Sequence, residues 1–280
     1  MYGILSKEIL NGEVTRMDIY APLVAAKARP GQFVIIRTHE LGERLPLTIA
    51  AACPETGAVT IIYQKVGHST RELDSLPQGG ELLDFAGPLG RPTEFDGIKR
   101  AAVVGGGLGC AIAWPVARGL HARGAHVDMI AGFRTKELVI LESELTRDST
   151  ALHVCTDDGS YGIKGFVTDA LRGLLDGGAA YDHVFAIGPL PMMKFVSKLT
   201  LEYGLPTTVS MNPLMVDGTG MCGCCRVTVG GKIRFACVDG PDFDGHHVDF
   251  DEAMRRVQTY KHIEAKQTGN HICRMTGEAR

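Results

Sequence analysis

The sequence has no long apolar run, few aromatic residues and no strong excess of charge of either sign. No stretch approaches the roughly 20 apolar residues of a membrane-spanning helix, so we expect no membrane span. A formal net charge of −3 does not fit the basic balance that is typical of nucleic-acid-binding proteins. The first residues, Met1 to Asn11, lack the basic start and apolar core of a signal peptide, which favours a cytoplasmic protein.

Eight cysteines need an explanation other than disulfide bonds, because thiols stay reduced in the cytoplasm. Four of them lie close together in the segment that ends at Cys237. The other four are scattered, and each is predicted to be a small buried apolar residue: Cys53, Cys110, Cys155 and Cys273.

Three regions with different patterns divide the chain. Residues 1–97 contain short β-branched segments separated by turn residues, which predicts an antiparallel β-barrel of six strands. In residues 98–211, strand-like and helix-like segments alternate, which predicts a doubly wound parallel α/β sheet. Residues 212–280 begin with a loop rich in Gly and Cys, continue through a predicted hairpin, and end in a predicted helix (Asp251–His262) and a polar tail.

The strongest local signal is the spacing of Asp217, Cys222, Cys225 and Cys237. Plant-type [2Fe–2S] loops have the spacing C-x4-C-x2-C followed by a distant fourth cysteine, and Asp217 occupies the first position. A carboxylate has the charge of a thiolate but binds iron through a harder oxygen. Two alternatives are a structural zinc held by these cysteines and one more ligand, and a group of thiols that bind no metal.

A second signal is the glycine run Gly105, Gly106, Gly107 and Gly109, which lies between a predicted strand and a predicted helix. At such a turn the phosphates of a dinucleotide can approach the helix N-terminus without obstruction by side chains. The spacing departs from the usual dinucleotide-binding pattern, so a plain tight turn from strand to helix is the alternative.

Later predicted strands also carry candidate ligand-binding residues at their carboxyl ends, the edge at which open α/β sheets bind ligands. These residues are Arg134, Asp157, Gly188, Pro189 and Met192. Packing against a neighbouring element would also explain the methionine, and solvation would explain the arginine.

In their order, these motifs resemble those of the ferredoxin-reductase-like flavoproteins. They are most similar to the branch that contains the electron-transfer subunit of dihydroorotate dehydrogenase B and the small subunit of NADH-dependent ferredoxin:NADP oxidoreductase, an electron-bifurcating transhydrogenase. The resemblance extends from the barrel to Asp249. The aspartate at position 217 resembles the transhydrogenase side of this branch.

The resemblance implies that the barrel binds FAD. Arg44 stands where the family's strand motif meets the FAD diphosphate, and Pro46, Leu47 and Thr48 stand where backbone groups meet the isoalloxazine ring. A second implied FAD segment consists of Ile62, Tyr63, Gln64, Gly67, Ser69 and Thr70.

The implied function is electron transfer between NAD(H), FAD and a [2Fe–2S] cluster, with NADP as a second possible nucleotide because Arg134 suits a 2′-phosphate. Hydride transfer to a flavin requires positioning, so no catalytic side chain is predicted. The implied partner is a larger flavin and iron–sulfur subunit similar to the small subunit of glutamate synthase, with ferredoxin reached through the complex. The alternatives are the electron-transfer subunit of NAD-dependent dihydroorotate dehydrogenase and a zinc-binding, nucleotide-binding regulatory module.

Overall fold

An antiparallel sheet forms the first part of the chain in the computed structural model, which describes residues 1–259. Its strands are β1 (Tyr2–Ile9), β2 (Val14–Tyr20), β3 (Phe33–Arg37), β4 (Leu45–Cys53), β5 (Ala58–Gln64), β6 (Glu81–Leu82) and β7 (Asp84–Leu89). Two helices, α1 (Pro22–Ala25) and α2 (His68–Ser75), lie in its connections. The strand order is β6-β1-β2-β5-β4-β3-β7.

The two edges of this sheet come from one short segment of chain. β6 pairs with β1 at one edge and β7 pairs with β3 at the other, and only Leu83 separates the two strands. The sheet therefore curls into a nearly closed barrel around an apolar core that includes Met17, Ile36 and Ile61. The predicted barrel is confirmed, with seven strands where the sequence predicted six.

The second part of the chain alternates strands and helices, as predicted. Its elements are β8 (Arg100–Gly106), α3 (Gly109–His121), β9 (His126–Phe133), a 3-10 turn (Lys136–Leu138), α4 (Glu142–Arg147), β10 (Ala151–Thr156), β11 (Ile163–Lys164), α5 (Val167–Asp176), β12 (His183–Ile187), α6 (Leu190–Glu202) and β13 (Thr207–Ser210). The third part contributes β14 (Arg226–Val229), β15 (Lys232–Phe235), α7 (Ala236–Asp239), β16 (Asp242–Asp244) and α8 (Phe250–Gln258).

The second sheet has the order β11-β10-β9-β8-β12-β13-β16. Its strands are parallel except β16, which is antiparallel to β13. One apolar cluster packs α3 against one face of the sheet, and a second packs α5, α6 and α8 against the other face. The predicted doubly wound α/β architecture is confirmed. The domain division at residues 97 and 211 stays a prediction, and β16 joins the third part to the sheet of the second.

Three of the four scattered cysteines lie among the described residues. Cys110 and Cys155 are buried as predicted, and burial raises the pKa of the Cys110 thiol to about 12. The prediction for Cys53 is wrong, because this residue is only half-buried and its thiol lies 3.3 Å from the Glu55 carboxylate. The predicted tail from residue 260, with Cys273, lies outside the described residues. Within residues 1–259, no helix combines the length and the hydrophobicity needed to cross a membrane.

Candidate functional site

The strand order of the α/β sheet creates a crevice between β8 and β12. These two strands are neighbours, but the connection after β8 leads to β9 on one side and the connection after β12 leads to β13 on the other. Their helices therefore diverge, and an open α/β sheet binds ligands at such a point, beyond the carboxyl ends of its strands. Both glycine-containing loops of the sequence analysis lie here.

Close packing between these two loops explains two of the glycines. A Cβ atom on Gly109 would lie 2.3 Å from the carbonyl oxygen of Ile187, and one on Gly106 would lie 2.4 Å from Sδ of Met192. Gly107 has open space around it and a φ of +56°, a left-handed conformation that favours glycine. The need for glycine at 109 thus arises from backbone atoms within the protein, whereas Gly107 leaves its backbone open to a ligand.

A cavity of about 1170 Å³ runs from this crevice to the barrel. Its walls come from the barrel, the glycine loops, α5, α6 and the start of the third part of the chain. Predicted cofactor-binding residues from the barrel and from the α/β part line it together: Pro46, Thr48, Gln64, Gly106, Gly107, Gly109, Arg134, Asp157, Gly188, Pro189 and Met192. Arg134 and Asp157 are both exposed, so their charged groups are available to a ligand.

Ile62 and Tyr63, two of the predicted FAD residues, are both buried. Tyr63 is fully buried in the barrel core, where its hydroxyl lies 3.2 Å from the Asp74 carboxylate. Burial, together with the charge of Asp74, raises the pKa of Tyr63 far above its ordinary value. Ile62 packs in the core between the barrel and α3. The side chains of these two residues therefore do not line the large cavity, and their part in FAD binding stays a prediction.

The remaining predicted FAD residues lie away from the large cavity. Arg44 borders a separate cavity of about 310 Å³. Gly67, Ser69 and Thr70 form the start of α2, where the Thr70 hydroxyl accepts hydrogen bonds of 3.1 Å from the amides of Val66 and Gly67. The Ser69 hydroxyl donates to the Glu43 carboxylate. Leu47 and Gly105 also do not line the large cavity; a Cβ atom on Gly105 would lie 2.8 Å from Cα of Cys110.

The cavity also has wall residues that the sequence analysis missed. Phe166, just before α5, and Phe195, on α6, line it with 63% and 60% of their surfaces exposed. Arg172 and Lys198 add two cationic groups. No motif marks these four residues, because their convergence depends on how α5 and α6 are rotated against each other.

The loop from Asp217 to Cys225 folds around the carboxylate of Asp217. This carboxylate accepts hydrogen bonds from the amide of Thr219 at 2.6 Å, from the Thr219 hydroxyl, and from the amide of Cys222 at 2.8 Å. Hydrogen bonds from the Cys222 and Thr219 side chains and amides hold the pKa of Asp217 well below its ordinary value. The loop thus keeps the carboxylate of Asp217 negatively charged.

Two of the candidate metal-binding thiols are in contact. Sγ of Cys225 lies 3.2 Å from Sγ of Cys237, and both residues are buried, whereas Cys222 is exposed. Burial and the neighbouring Cys225 raise the pKa of Cys237 to about 12. Among residues 1–259, no three His, Cys, Asp or Glu side chains are placed to hold a single metal ion. The donor set of three thiols and one carboxylate supplies the four anionic ligands that a [2Fe–2S] cluster needs.

The metal-binding loop packs directly on the barrel. A Cβ atom on Gly218, which has a φ of +77°, would lie 2.7 Å from Cδ1 of Ile35 and 2.8 Å from Cδ1 of Leu89. Phe33 and Met215 pack in one apolar cluster with Cys225 and Cys237, and the same two residues line the large cavity. The thiols and the cavity wall thus share one apolar cluster.

Several known proteins are similar to this chain in sequence. The iron–sulfur cluster binding domain of dihydroorotate dehydrogenase B matches residues 212–249. The chain is 46% identical to a homolog of the dihydroorotate dehydrogenase B (NAD(+)) electron transfer subunit from Thermotoga maritima, over 93% of this chain and 92% of the relative. It is 33% identical to the electron transfer subunit of that enzyme from Geobacillus thermodenitrificans, over 86% and 94%.

A solved structure is similar along almost the whole chain. It was determined in work on flavin-based electron bifurcation by NADH-dependent reduced ferredoxin-NADP oxidoreductase, and it has a TM-score of 0.90 and 44% identity to this chain. The match covers 96% of this chain and 98% of the other. A ferredoxin reductase of carbazole 1,9a-dioxygenase, at 21% identity and a TM-score of 0.63, shares the fold.

Proposed function

Because the chain belongs to the family of dihydroorotate dehydrogenase B electron-transfer subunits and their homologs, we propose that it carries electrons between NAD(H), FAD and a [2Fe–2S] cluster. We further propose that the enzyme is an NADH-dependent ferredoxin:NADP oxidoreductase. The similarity to a solved structure of that activity over 96% of the chain supports this choice, as does the aspartate at position 217.

One observation carries the proposal: the large cavity and the metal-binding loop share a wall. Phe33 and Met215 line the cavity and belong to the apolar cluster that contains Cys225 and Cys237, so a flavin in the barrel part of the cavity would lie against the cluster that holds these ligands. The cavity volume of about 1170 Å³ exceeds the usual range of small-molecule pockets, as expected of a site that takes a flavin and a nicotinamide nucleotide together.

The residues of the cavity have distinct roles in this proposal. Pro46, Thr48 and Gln64 face the flavin, while Gly107 and the N-terminus of α3 receive the nucleotide phosphates. The bound flavin accepts two electrons as hydride and releases them one at a time. The protein contributes positioning and exclusion of water, and no acid or base is needed at the hydride transfer.

The proposed cluster ligands are Asp217, Cys222, Cys225 and Cys237. Positive φ angles at Gly218, Gly220 and Gly223 let the loop between the first three turn around the metal. Cys224 lies between two proposed ligands and is the spare thiol.

A partner is expected at the surface beside this loop. Leu214, Val216, Met221 and Val238 expose 62%, 42%, 88% and 38% of their surfaces. Apolar side chains grouped in this way mark interaction surfaces. We propose that they dock on a larger flavin and iron–sulfur subunit, similar to the small subunit of glutamate synthase, through which ferredoxin exchanges electrons.

Cofactor analysis of the anaerobically purified chain tests the proposal. We expect the absorption of flavin and of a [2Fe–2S] cluster, with about one flavin, two irons and two sulfides per chain. Cys225→Ser should lose the cluster, whereas the adjacent Cys224→Ser should retain it. A colourless protein with stoichiometric zinc would favour the regulatory module instead, and faster flavin reduction by NADPH than by NADH would reverse the nucleotide assignment.

Co-purification with the native partner tests the enzyme assignment. We expect a large flavin and iron–sulfur subunit to be retained, and Met221→Glu to weaken its retention while the cofactor content stays unchanged. A co-purifying subunit that oxidises dihydroorotate would instead identify the complex as dihydroorotate dehydrogenase.

A further inference from the structure

Asp242 lies where the three parts of the chain meet. On β16 it is paired with Ser210 of β13 at the edge of the α/β sheet, and the Ser210 hydroxyl hydrogen-bonds its carboxylate. The hydroxyl of Thr93, in the connection between barrel and α/β sheet, donates to the same carboxylate at 2.6 Å. A Cβ atom on Gly31 of the barrel would lie 2.2 Å from Oγ1 of Thr93 and 3.2 Å from Oδ2 of Asp242, so the barrel closes over this contact.

The part of the chain that the structure describes places no cation against this carboxylate. Within residues 1–259, Asp242 forms no ion pair, and its two hydrogen-bond donors are neutral hydroxyls. The charged residues on the packed segments are exposed: Arg29, Arg91, Glu94 and Asp244. Arg91 directs its side chain to the carbonyl of Val238, and Asp244 pairs with His247. Asp242 retains some exposed surface, but its carboxylate faces inward to the hydroxyls, and its burial raises the pKa to about 6.

The same segment links the metal-binding loop to the cavity. Cys237 precedes Asp242 by five positions, and the intervening Gly240 accepts a 2.7 Å hydrogen bond from the amide of Arg91. Ser210 and Pro241, the partner and the neighbour of Asp242, both line the large cavity. The two neighbours of Asp242 thus reach both proposed redox sites, because Pro241 lines the cavity and Phe243 packs against the apolar cluster that contains Cys225 and Cys237.

We propose that Asp242 takes up a proton when the neighbouring redox sites are reduced. The inference rests on the proposed function. Reduction adds negative charge beside an uncompensated carboxylate, and a like charge disfavours ionisation, so the proton affinity of Asp242 rises. One electron enters the redox site and one proton passes from solvent to the carboxylate; no other bond forms or breaks. The hydroxyls of Thr93 and Ser210 keep the group in place in both protonation states.

The direction in which pH changes the reduction potential follows from the protonated and ionised states of the Asp242 carboxyl group. Below pH of about 6 the group is protonated whether the redox sites are oxidised or reduced, so it gives no pH dependence. Above this pH the oxidised protein loses the proton first, and reduction restores it. The reduction potential should then fall as pH rises. The cluster is the better reporter, because flavin reduction takes up protons of its own.

The test is a redox titration of the cluster, followed by its absorption from pH 5 to pH 8, in the purified holoprotein. In the wild type we expect a potential that falls with pH above about 6. Asp242→Asn removes the proton-binding group at almost unchanged size, and its cluster potential should be higher at pH 8 and independent of pH. Asp244→Asn, which makes the same charge change at an exposed position of the same strand, should retain the wild-type pH dependence.

A second measurement follows the proton directly. Carbon-13 NMR of Asp242 in the oxidised protein should show titration near pH 6, displaced upward after reduction by dithionite. A pH dependence in Asp242→Asn equal to that of the wild type, or an Asp242 resonance that ignores reduction, overturns the inference and leaves the proposed function intact. A chain purified without flavin and cluster overturns both.

Discussion

Gly109→Ala is the sharpest test of the paired glycine loops. A methyl group at this first residue of α3 would lie 2.3 Å from the carbonyl oxygen of Ile187 and 2.7 Å from Cα of Gly188. Both are backbone atoms, which cannot rotate away as a side chain can, so the two loops must separate. Overpacking of this kind costs about 1–3 kcal/mol. The helix propensity of alanine returns at most about 1 kcal/mol, and we expect a net loss of about 1–2 kcal/mol.

Gly173→Ala is the matched control. Gly173 lies inside α5, and a Cβ atom there would meet nothing within 4 Å. The same substitution should therefore stabilise the protein by about 0.5–1 kcal/mol, because alanine loses less backbone entropy than glycine. Thermal unfolding should separate the two variants by several degrees in opposite directions, since 1 kcal/mol corresponds to roughly 2–4 °C in a protein of this size class.

Nucleotide binding gives an independent measurement on the same pair of variants. Separation of the loops moves the Gly107 backbone away from the phosphate position, and a loss of about 1.4 kcal/mol would weaken NADH binding about tenfold. Gly173→Ala should bind NADH as the wild type does. If Gly109→Ala matched Gly173→Ala in both Tm and NADH affinity, the loops would not be in contact as described and the reasoning would fail.

Substitutions at three further positions test other parts of the structure. Asp217→Ala should lose bound iron and sulfide, whereas Asp217→Cys should retain the cluster at a shifted reduction potential; an unchanged potential would mean that Asp217 is not a ligand. Asp74→Asn should destabilise the protein by about 1–3 kcal/mol at pH 7, where the ionised carboxylate accepts a 2.7 Å hydrogen bond from Thr15. Burial acts to raise the pKa of Asp74, but the hydrogen bond from Thr15 and the charges of two lysines outweigh it, so the net pKa is lowered. The stabilisation is therefore lost as pH falls through the folded-state pKa. Urea denaturation curves of variant and wild type should converge in acid. Trp114→Phe removes a 2.7 Å hydrogen bond from the indole to Asp148 and should cost about 1 kcal/mol by circular dichroism, with no change in flavin content.

Local sequence patterns predict the two sheets well. The features that they miss depend on pairing between strands that are distant in the sequence. The alternation of strand and helix from residue 98 predicts the parallel sheet because each of its strands is locally apolar. The segment Leu82–Ala86 reads as one strand, yet the structure divides it at Leu83 into β6 and β7 at opposite edges of the barrel. Barrel closure causes this division. Similarly, β16 (Asp242–Asp244) has no strand-like sequence and becomes a strand only by pairing with β13.

For the candidate site, local patterns predict the loops but not which single side chains reach the cavity. The glycine loops could be predicted, because a strand, a glycine run and a helix follow each other in the sequence. Ile62 and Tyr63 do not line the large cavity because β5 is covered on both faces, by the barrel core and by α3. The middle of β5 therefore presents no side chain to a ligand, whereas Gln64 at the end of the strand lines the cavity. The exposed Phe166 and Phe195 were missed for the opposite reason, since aromatic residues in helical segments are expected in the core.

The aspartate at position 217 shows how a loop can accept a change of ligand. Two amides, those of Thr219 and Cys222, already point at its carboxylate, so the backbone of the loop favours a negative charge at this place whatever residue supplies it. A thiolate would carry the same charge but present sulfur to the metal, which changes the electron density at iron and leaves the folding of the loop unaltered. Binding of iron must compete with these hydrogen bonds for the same oxygen atoms. The Thr219 hydroxyl donates a further hydrogen bond to this carboxylate, so Thr219→Val, which removes that bond alone, should change the cluster potential while iron and sulfide remain bound.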